Sequence, residues 1–181
     1  EDIYVPQMKK DINRLQIIAD RFQKIGSETE LNEMNLIPVV EEAIAYIRVR
    51  TSNKITIDDS ALKDVTRVVA LNAPLMQWVI ENILKNALDA IHNEGKITIT
   101  VCENEHDVML DITDTGKGMD AQTQRHIFDP GFTTKERGWG LGLPLAKRIV
   151  EQYHGGKLLL KHSQQGVGST FRIVIKKPEN S

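Results

Sequence analysis

The sequence predicts an α/β two-layer sandwich of the α+β kind, preceded by one long helix. Three observations carry this. Segments 73–91 and 143–153 space their apolar residues with helical period. Segments 96–102, 107–113, 157–162 and 169–176 read as strands. The last two are joined by Gln164-Gln165-Gly166-Val167-Gly168, a hairpin turn that makes them antiparallel neighbours. The sheet is therefore mixed or antiparallel.

The elements follow in order. From Asp2 to Ile25, the residues Val5, Met8, Ile12, Leu15, Ala19 and Phe22 alternate spacings of three and four. That is a heptad-like seam on one helix, and such a seam needs a partner helix or a second chain. Gly26 and Ser27 end it, so the chain divides into 1–27 and 28–181. A helix is expected from Leu36 to Arg50, with Asn35 as cap and Pro38 in its first turn. Lys54 to Asp58 and Val65 to Leu71 are strand candidates. Ala73-Pro74 opens the helix that reaches Ile91, and Asn93-Glu94-Gly95 turns into strand 96–102. Strand 107–113 puts Val108, Leu110 and Ile112 on one face. Between 120 and 139 the pattern is irregular, apart from a short helix at 121–127.

Bulk properties exclude some functions. The chain has 181 residues, enough for one domain with a core and a modest appendage. A net charge of −2 gives no electrostatic case for nucleic acid as a partner. The one cysteine, Cys102, rules out an intrachain disulfide and a cysteine metal cluster; in its strand it reads as a small packed residue. No apolar run is long enough to span a bilayer, and no signal peptide is present. A membrane anchor would have to lie elsewhere in a longer protein.

On the helix 73–91, Asn82, Asn86, Asp89 and Asn93 share one narrow face. Met76, Ile80, Ile83, Leu84, Ala87, Leu88 and Ile91 cover the other, which can pack on a sheet. Most polar helix faces are simply solvated. Asparagines are unusual there, because surface helices favour Lys, Glu and Gln. An asparagine oxygen is a neutral ligand suited to Mg²⁺, which takes few protein ligands and completes its shell with water and phosphate oxygens.

Two glycine clusters follow. Asp114-Thr115-Gly116-Lys117-Gly118-Met119 stands at a strand end. A carboxylate fixed there can accept a hydrogen bond from the exocyclic amine of adenine, whereas guanine offers a carbonyl at that edge. Gly116 and Gly118 let backbone approach a flat base. Asp and Gly are also the commonest turn residues, so this cluster alone is a plain turn as readily as a site. Gly138-Trp139-Gly140-Leu141-Gly142-Leu143 leads into a helix, whose N-terminal amides suit phosphate. A dinucleotide fingerprint is excluded, because no strand precedes it and Leu143 holds the third glycine position. A phosphate loop is excluded for want of Gly-Lys-[Ser/Thr].

In this order the motifs resemble the catalytic ATP-binding domain of sensor histidine kinases, within the gyrase, chaperone, histidine kinase and mismatch-repair ATPase superfamily. Residues 81–90, Glu81-Asn82-Ile83-Leu84-Lys85-Asn86-Ala87-Leu88-Asp89-Ala90, are similar to its asparagine box. Residues 114–119 and 138–143 are similar to its two glycine boxes, and 127–135 to its phenylalanine box. Gly168-Ser169-Thr170-Phe171 is similar to its closing motif, and the resemblance covers about Asn35 to Lys177. It implies a Bergerat-type fold, a mixed sheet with helices on one face.

The resemblance also implies roles. Asn86 is the expected Mg²⁺ ligand, with Asn82 near the phosphates; both count as catalytic, and Asp89 joins them at the nucleotide. Asp114 reads adenine, Gly116, Gly118 and Met119 line the base pocket, and Thr170 lies close to it. Phe132, Thr133, Thr134 and Lys135 belong to the nucleotide site, Lys135 adding positive charge. Gly138, Gly140, Leu141, Gly142 and Leu143 form a mobile lid over the phosphates. ATP and Mg²⁺ are the implied cofactors.

Position 82 bears on the reaction. The superfamily's hydrolases carry a glutamate there, one turn before the metal asparagine, as the base that activates water. Asn82 cannot do so, and Glu81 points about 100° away. The sequence therefore favours phosphoryl transfer to an outside nucleophile over hydrolysis. Open alternatives are a mismatch-repair- or chaperone-type hydrolase and a nucleotide-binding interaction module. In the family, the acceptor is a histidine on the first helix of a dimerising hairpin; 2–25 resembles the second helix only. His92, His106, His126, His154 and His162 read as ordinary surface or loop residues. The implied partners are that phosphoacceptor helix, a response regulator and a second copy in a full-length homodimer. The implied location is a cytoplasmic domain.

Overall fold

The computed structural model describes residues 30–63, 65–135 and 138–178. The helix expected at 2–25, with Gly26 and Ser27, lies outside the described residues. Strand β1 (Asn32–Asn35) runs into helix α1 (Leu36–Arg48). Asn35 joins them, because its Oδ1 accepts the Ile37 N–H at 3.2 Å as a helix cap and the Arg67 N–H at 2.9 Å. Strand β1 pairs antiparallel with β3 (Val68–Leu71) in a two-stranded sheet. No strand was legible at 32–35, since Asn-Glu-Met-Asn has no apolar alternation. Its existence rests on pairing with β3, which is itself shorter than the expected 65–71.

The main sheet holds β2 (Ile55–Asp58), β4 (Gly95–Glu103), β5 (Asp107–Asp114), β6 (Lys157–Gln164) and β7 (Gly168–Lys176). Their order is β2-β4-β5-β7-β6. Strand β2 is parallel to β4 and every other pairing is antiparallel, so the sheet is mixed, as expected. One face buries Ile97, Ile99, Val108, Leu110, Ile112, Leu158, Phe171, Ile173 and Ile175. Each fully buried Ile or Leu of that layer contributes about 1.5–3 kcal/mol. The opposite face follows from the period of two: Thr100, Cys102 and Lys157 are exposed there. Cys102 is thus an exposed thiol and not a packed residue, because its neighbours of opposite parity turn inward. Asp111, also on this face, is covered by a bidentate Arg172 at 2.6 and 2.7 Å and by Lys161 at 2.8 Å.

Helix α2 (Ala73–Ala90) starts at Asn72, whose Oδ1 accepts the Leu75 N–H at 3.2 Å. Its apolar side, Leu75, Met76, Val79, Ile80, Ile83, Leu84 and Ala87, is buried against α1 and the sheet. The helix ends where Ile91 turns extended and its side chain goes into the core. Asn93 therefore falls beyond the helix, in the turn to β4, and leaves the polar face to Asn82, Asn86 and Asp89. Helix α3 (Ala121–His126) is capped by Asp120, which accepts the Thr123 N–H at 2.7 Å. The helix expected at 143–153 is α4 (Gly142–Arg148) followed by a π turn, Ile149–Tyr153.

His154 departs from the surface role expected of it. It is 6% exposed, with Nδ1 2.9 Å from the Ile149 carbonyl and Nε2 accepting the Asn72 N–H at 3.1 Å. That arrangement requires the neutral ring with its proton on Nδ1. It ties the π turn to the cap of α2. Burial holds the His154 pKa below its ordinary 6.5. The unfolded chain therefore binds the proton first as pH falls. The contribution of His154 is complete above about pH 6.5 and is lost as pH drops below it. Urea midpoints should fall between pH 7.5 and 5.5, by at most about 1.4 kcal/mol per pH unit from this group. A midpoint shift of the same size in His154→Asn would assign the pH dependence elsewhere.

Candidate functional site

Two segments converge on the polar face of α2: the loop after α3 and the start of α4. Asn82 and Asn86 lie one turn apart on it, half-buried, with Asp89 exposed three residues on. From the loop after α3, Lys135 reaches back over this face. Its Nζ donates to Asn86 Oδ1 at 2.8 Å and to Asp89 Oδ2 at 2.6 Å. Asn86 and Asp89 thus aim two oxygens at one cationic position. That is the electrostatics a divalent cation needs from a site with few protein ligands. Among the described residues, no group of three His, Cys, Asp or Glu stands together to hold a metal unaided. A metal here would lean on water and phosphate oxygens, which fits Mg²⁺.

Asn82 faces the start of α4. A Cβ on Gly142 would lie 2.7 Å from Asn82 Oδ1, so glycine is what lets the two segments approach. The Asn82 Nδ2 is buried and has no hydrogen-bond partner. A buried amide donor without a partner costs about 1–3 kcal/mol, and an anionic oxygen would satisfy it. Glu81, the nearest carboxylate in sequence, accepts from Gln77 Nε2 at 2.9 Å along the helix.

The loop between α3 and α4 folds on itself. The Gly131 N–H donates to the Gly140 carbonyl at 3.0 Å, and Gly140 has φ +62° with no room for a Cβ beside Gly131. Gly138 approaches the Thr133 hydroxyl, which also accepts the Lys135 N–H at 3.1 Å. Phe132 is half-buried, its ring 5.8 Å from that of His126, and Thr134 is exposed. Trp139 and Leu141 are exposed, while Leu143 is half-buried.

The far end of the site is the end of β5. Asp114 is 4% exposed and its Oδ1 accepts the Gly116 N–H at 2.8 Å. Burial raises its pKa, against the backbone donors of Gly116 and Ser169 that favour the charge. A carboxylate has about four acceptor positions, so capacity remains beyond those two donors. Thr113 and Thr170 are cross-strand partners whose hydroxyls lie 3.0 Å apart, one step along from Asp114 and Ser169.

Gly116 and Gly118 have a requirement that the sequence did not suggest. A Cβ on Gly116 would collide with the Ala90 carbonyl at 2.6 Å. Gly118, at φ +62°, passes against the Gln164 carbonyl. Each glycine therefore admits protein backbone, α2 on one side and the β6–β7 turn on the other. Met119 continues this strap, its N–H donating to Ser163 Oγ at 2.9 Å. The residues missed by sequence reasoning are Ser163 and Ser169, whose hydroxyls lie 2.9 Å apart behind Asp114 and Met119. The β6–β7 hairpin, legible from its turn, sets them opposite each other, but a serine pair there carries no signal of a site.

Known proteins match this chain throughout the site. The family model of histidine kinase-, DNA gyrase B- and HSP90-like ATPases matches residues 72–179. The sensor histidine kinase ZraS of Escherichia coli (strain K12) is 33% identical over 169 residues, 92% of this chain and 36% of that protein. The signal transduction histidine-protein kinase AtoS of the same organism is 29% identical over 175 residues, 95% of this chain and 28% of that protein. The chain thus spans about a third of the length of these relatives. The catalytic domain of histidine kinase ThkA superimposes with a TM-score of 0.70 at 27% identity, covering 82% of this chain and 96% of that one.

Proposed function

This chain belongs to the histidine kinase-, DNA gyrase B- and HSP90-like ATPase family, and we propose that it is the ATP-binding catalytic domain of a sensor histidine kinase. It transfers the γ-phosphoryl group of Mg-ATP to a histidine on a helix of the same protein. The observation that carries this reading is the convergence on α2, where Asn82, Asn86 and Asp89 meet Lys135 and the Gly142 end of α4. Bound Mg²⁺ would neutralise phosphate charge, held by Asn86 with Asp89 close by. Asn82 offers its unpaired amide donor to a phosphate oxygen. Asp114 accepts from the adenine amine and disfavours guanine. Gly138, Gly140 and Gly142 let the lid follow the triphosphate.

Transfer is favoured over hydrolysis by what position 82 lacks. Phosphoryl transfer to a positioned nucleophile needs orientation and charge neutralisation more than a base on the enzyme. Activation of water would need a carboxylate there, and Glu81 is bonded along the helix to Gln77. The partners of the whole protein then follow: a phosphoacceptor hairpin that also dimerises, and a response regulator that takes the phosphoryl group onward. ATP as donor sets the domain in the cytoplasm. Among the described residues, no helix is long and apolar enough to cross a membrane.

Incubation with a separately produced histidine-bearing hairpin of the parent protein and labelled ATP should label that hairpin. The label should be acid-labile and base-stable, as phosphohistidine is. Acid-stable label on serine would assign the chain to serine kinase chemistry instead.

A further inference from the structure

The ammonium of Lys135 sits on the oxygens that the metal would take. Lys135 Nζ lies 2.8 Å from Asn86 Oδ1 and 2.6 Å from Asp89 Oδ2, so both acceptors are engaged by one cation. Lys135 and Asp89 are each 39% exposed at the side chain, so the ion pair is within reach of solvent and can be exchanged. The lysine belongs to the loop that continues into the glycine lid. Its own N–H is held by the Thr133 hydroxyl, and a Cβ on Gly138 would fall 2.8 Å from that same oxygen. The Lys135 side chain thus links Asn86 and Asp89 to a loop segment packed against Gly138.

We propose that Lys135 is a built-in competitor of the divalent cation: ammonium and metal share Asn86 and Asp89, so metal loading is an exchange that releases the loop bearing Lys135. This rests on the nucleotide reading of the site and adds to it the order of events. Two like charges a few ångströms apart repel, here by the modest amount that solvent screening leaves to an exposed pair. Both cannot keep the same oxygens, so Lys135 would leave Asn86 and Asp89 when a divalent cation is bound there. The released ammonium carries its charge towards the phosphates and no longer ties the loop beside Gly138 to α2. The device makes the lid respond to the metal–nucleotide complex and not to nucleotide alone.

The test is calorimetric titration of ADP into the chain at a series of MgCl₂ concentrations, so that no turnover intervenes. The chain is compared with Lys135→Met and Lys135→Arg. In Lys135→Met the Mg²⁺ concentration that gives half of the maximal affinity gain should fall by about two- to fivefold, the scale of a solvent-accessible ion pair. Lys135→Arg, which restores the charge, should return it towards the parent value. The inference is overturned if Lys135→Met weakens ADP at every Mg²⁺ concentration while that midpoint stays put or rises. Lys135 would then be a phosphate ligand only. If the parent chain takes up no ADP at any Mg²⁺ concentration, the nucleotide reading itself falls, and the competition with it.

Discussion

Replacing Asn86 with Ala is expected to lower phosphoryl transfer by roughly a hundredfold or more, the scale of losing one group that stabilises developing phosphate charge. The fold should survive. Asn86 is half-buried on the polar side of α2, opposite Ile80, Ile83, Leu84 and Ala87, which carry the packing. Alanine is also the better helix former, by up to about 0.7 kcal/mol. A melting temperature equal to or above that of the parent chain, with transfer lost, is the expected pair of results. Transfer that persists in the alanine variant would remove Asn86 from the metal site.

Asp114→Asn should weaken adenine nucleotides by ~1–3 kcal/mol, the scale of a hydrogen bond to a charged acceptor. The argument has a stability side that separates it from simple misfolding. Burial raises the pKa of Asp114 in the folded chain. The proton is thus bound more tightly folded than unfolded. The stabilising share of that proton is present at low pH and is lost as pH rises through the folded value. At neutral pH the ionised, buried carboxylate is a net cost, which the neutral amide does not carry. Asp114→Asn keeps one oxygen for the N–H donors of Gly116 and Ser169 and trades the other for an amide group. The weakened acceptor offsets the relief of buried charge, so the fold should stay close to the parent in stability at pH 7. Weaker ATP binding together with near-parent stability, measured by calorimetry and urea denaturation, is the predicted signature. Unchanged ATP affinity would refute the adenine role.

Much of the fold was legible because it is local. The alternation of β4 and β5, the hairpin of β6 and β7, and the cap Asn35 are each written within a few residues. The polar face of α2 was legible for the same reason, except at its end. There the tertiary pull of Ile91 into the core stops the helix before Asn93. What was not legible depends on partners distant in the chain. Strand β1 exists by pairing with β3, and Lys135 meets Asn86 and Asp89 from 49 and 46 residues away. His154 passes for a loop residue until Ile149 and the Asn72 cap close around it. Glycines 116 and 118 were read for the ligand they admit, yet the backbone they admit is that of Ala90 and Gln164.

The destination of the γ-phosphoryl group is the most direct measure of the central claim. With labelled ATP, Mg²⁺ and the histidine-bearing hairpin, the label should accumulate on the hairpin, and the chain alone should release almost no inorganic phosphate over many minutes. Steady, multiple-turnover phosphate release by the chain alone, abolished in Asn86→Ala, would contradict the account and make the protein an ATP hydrolase.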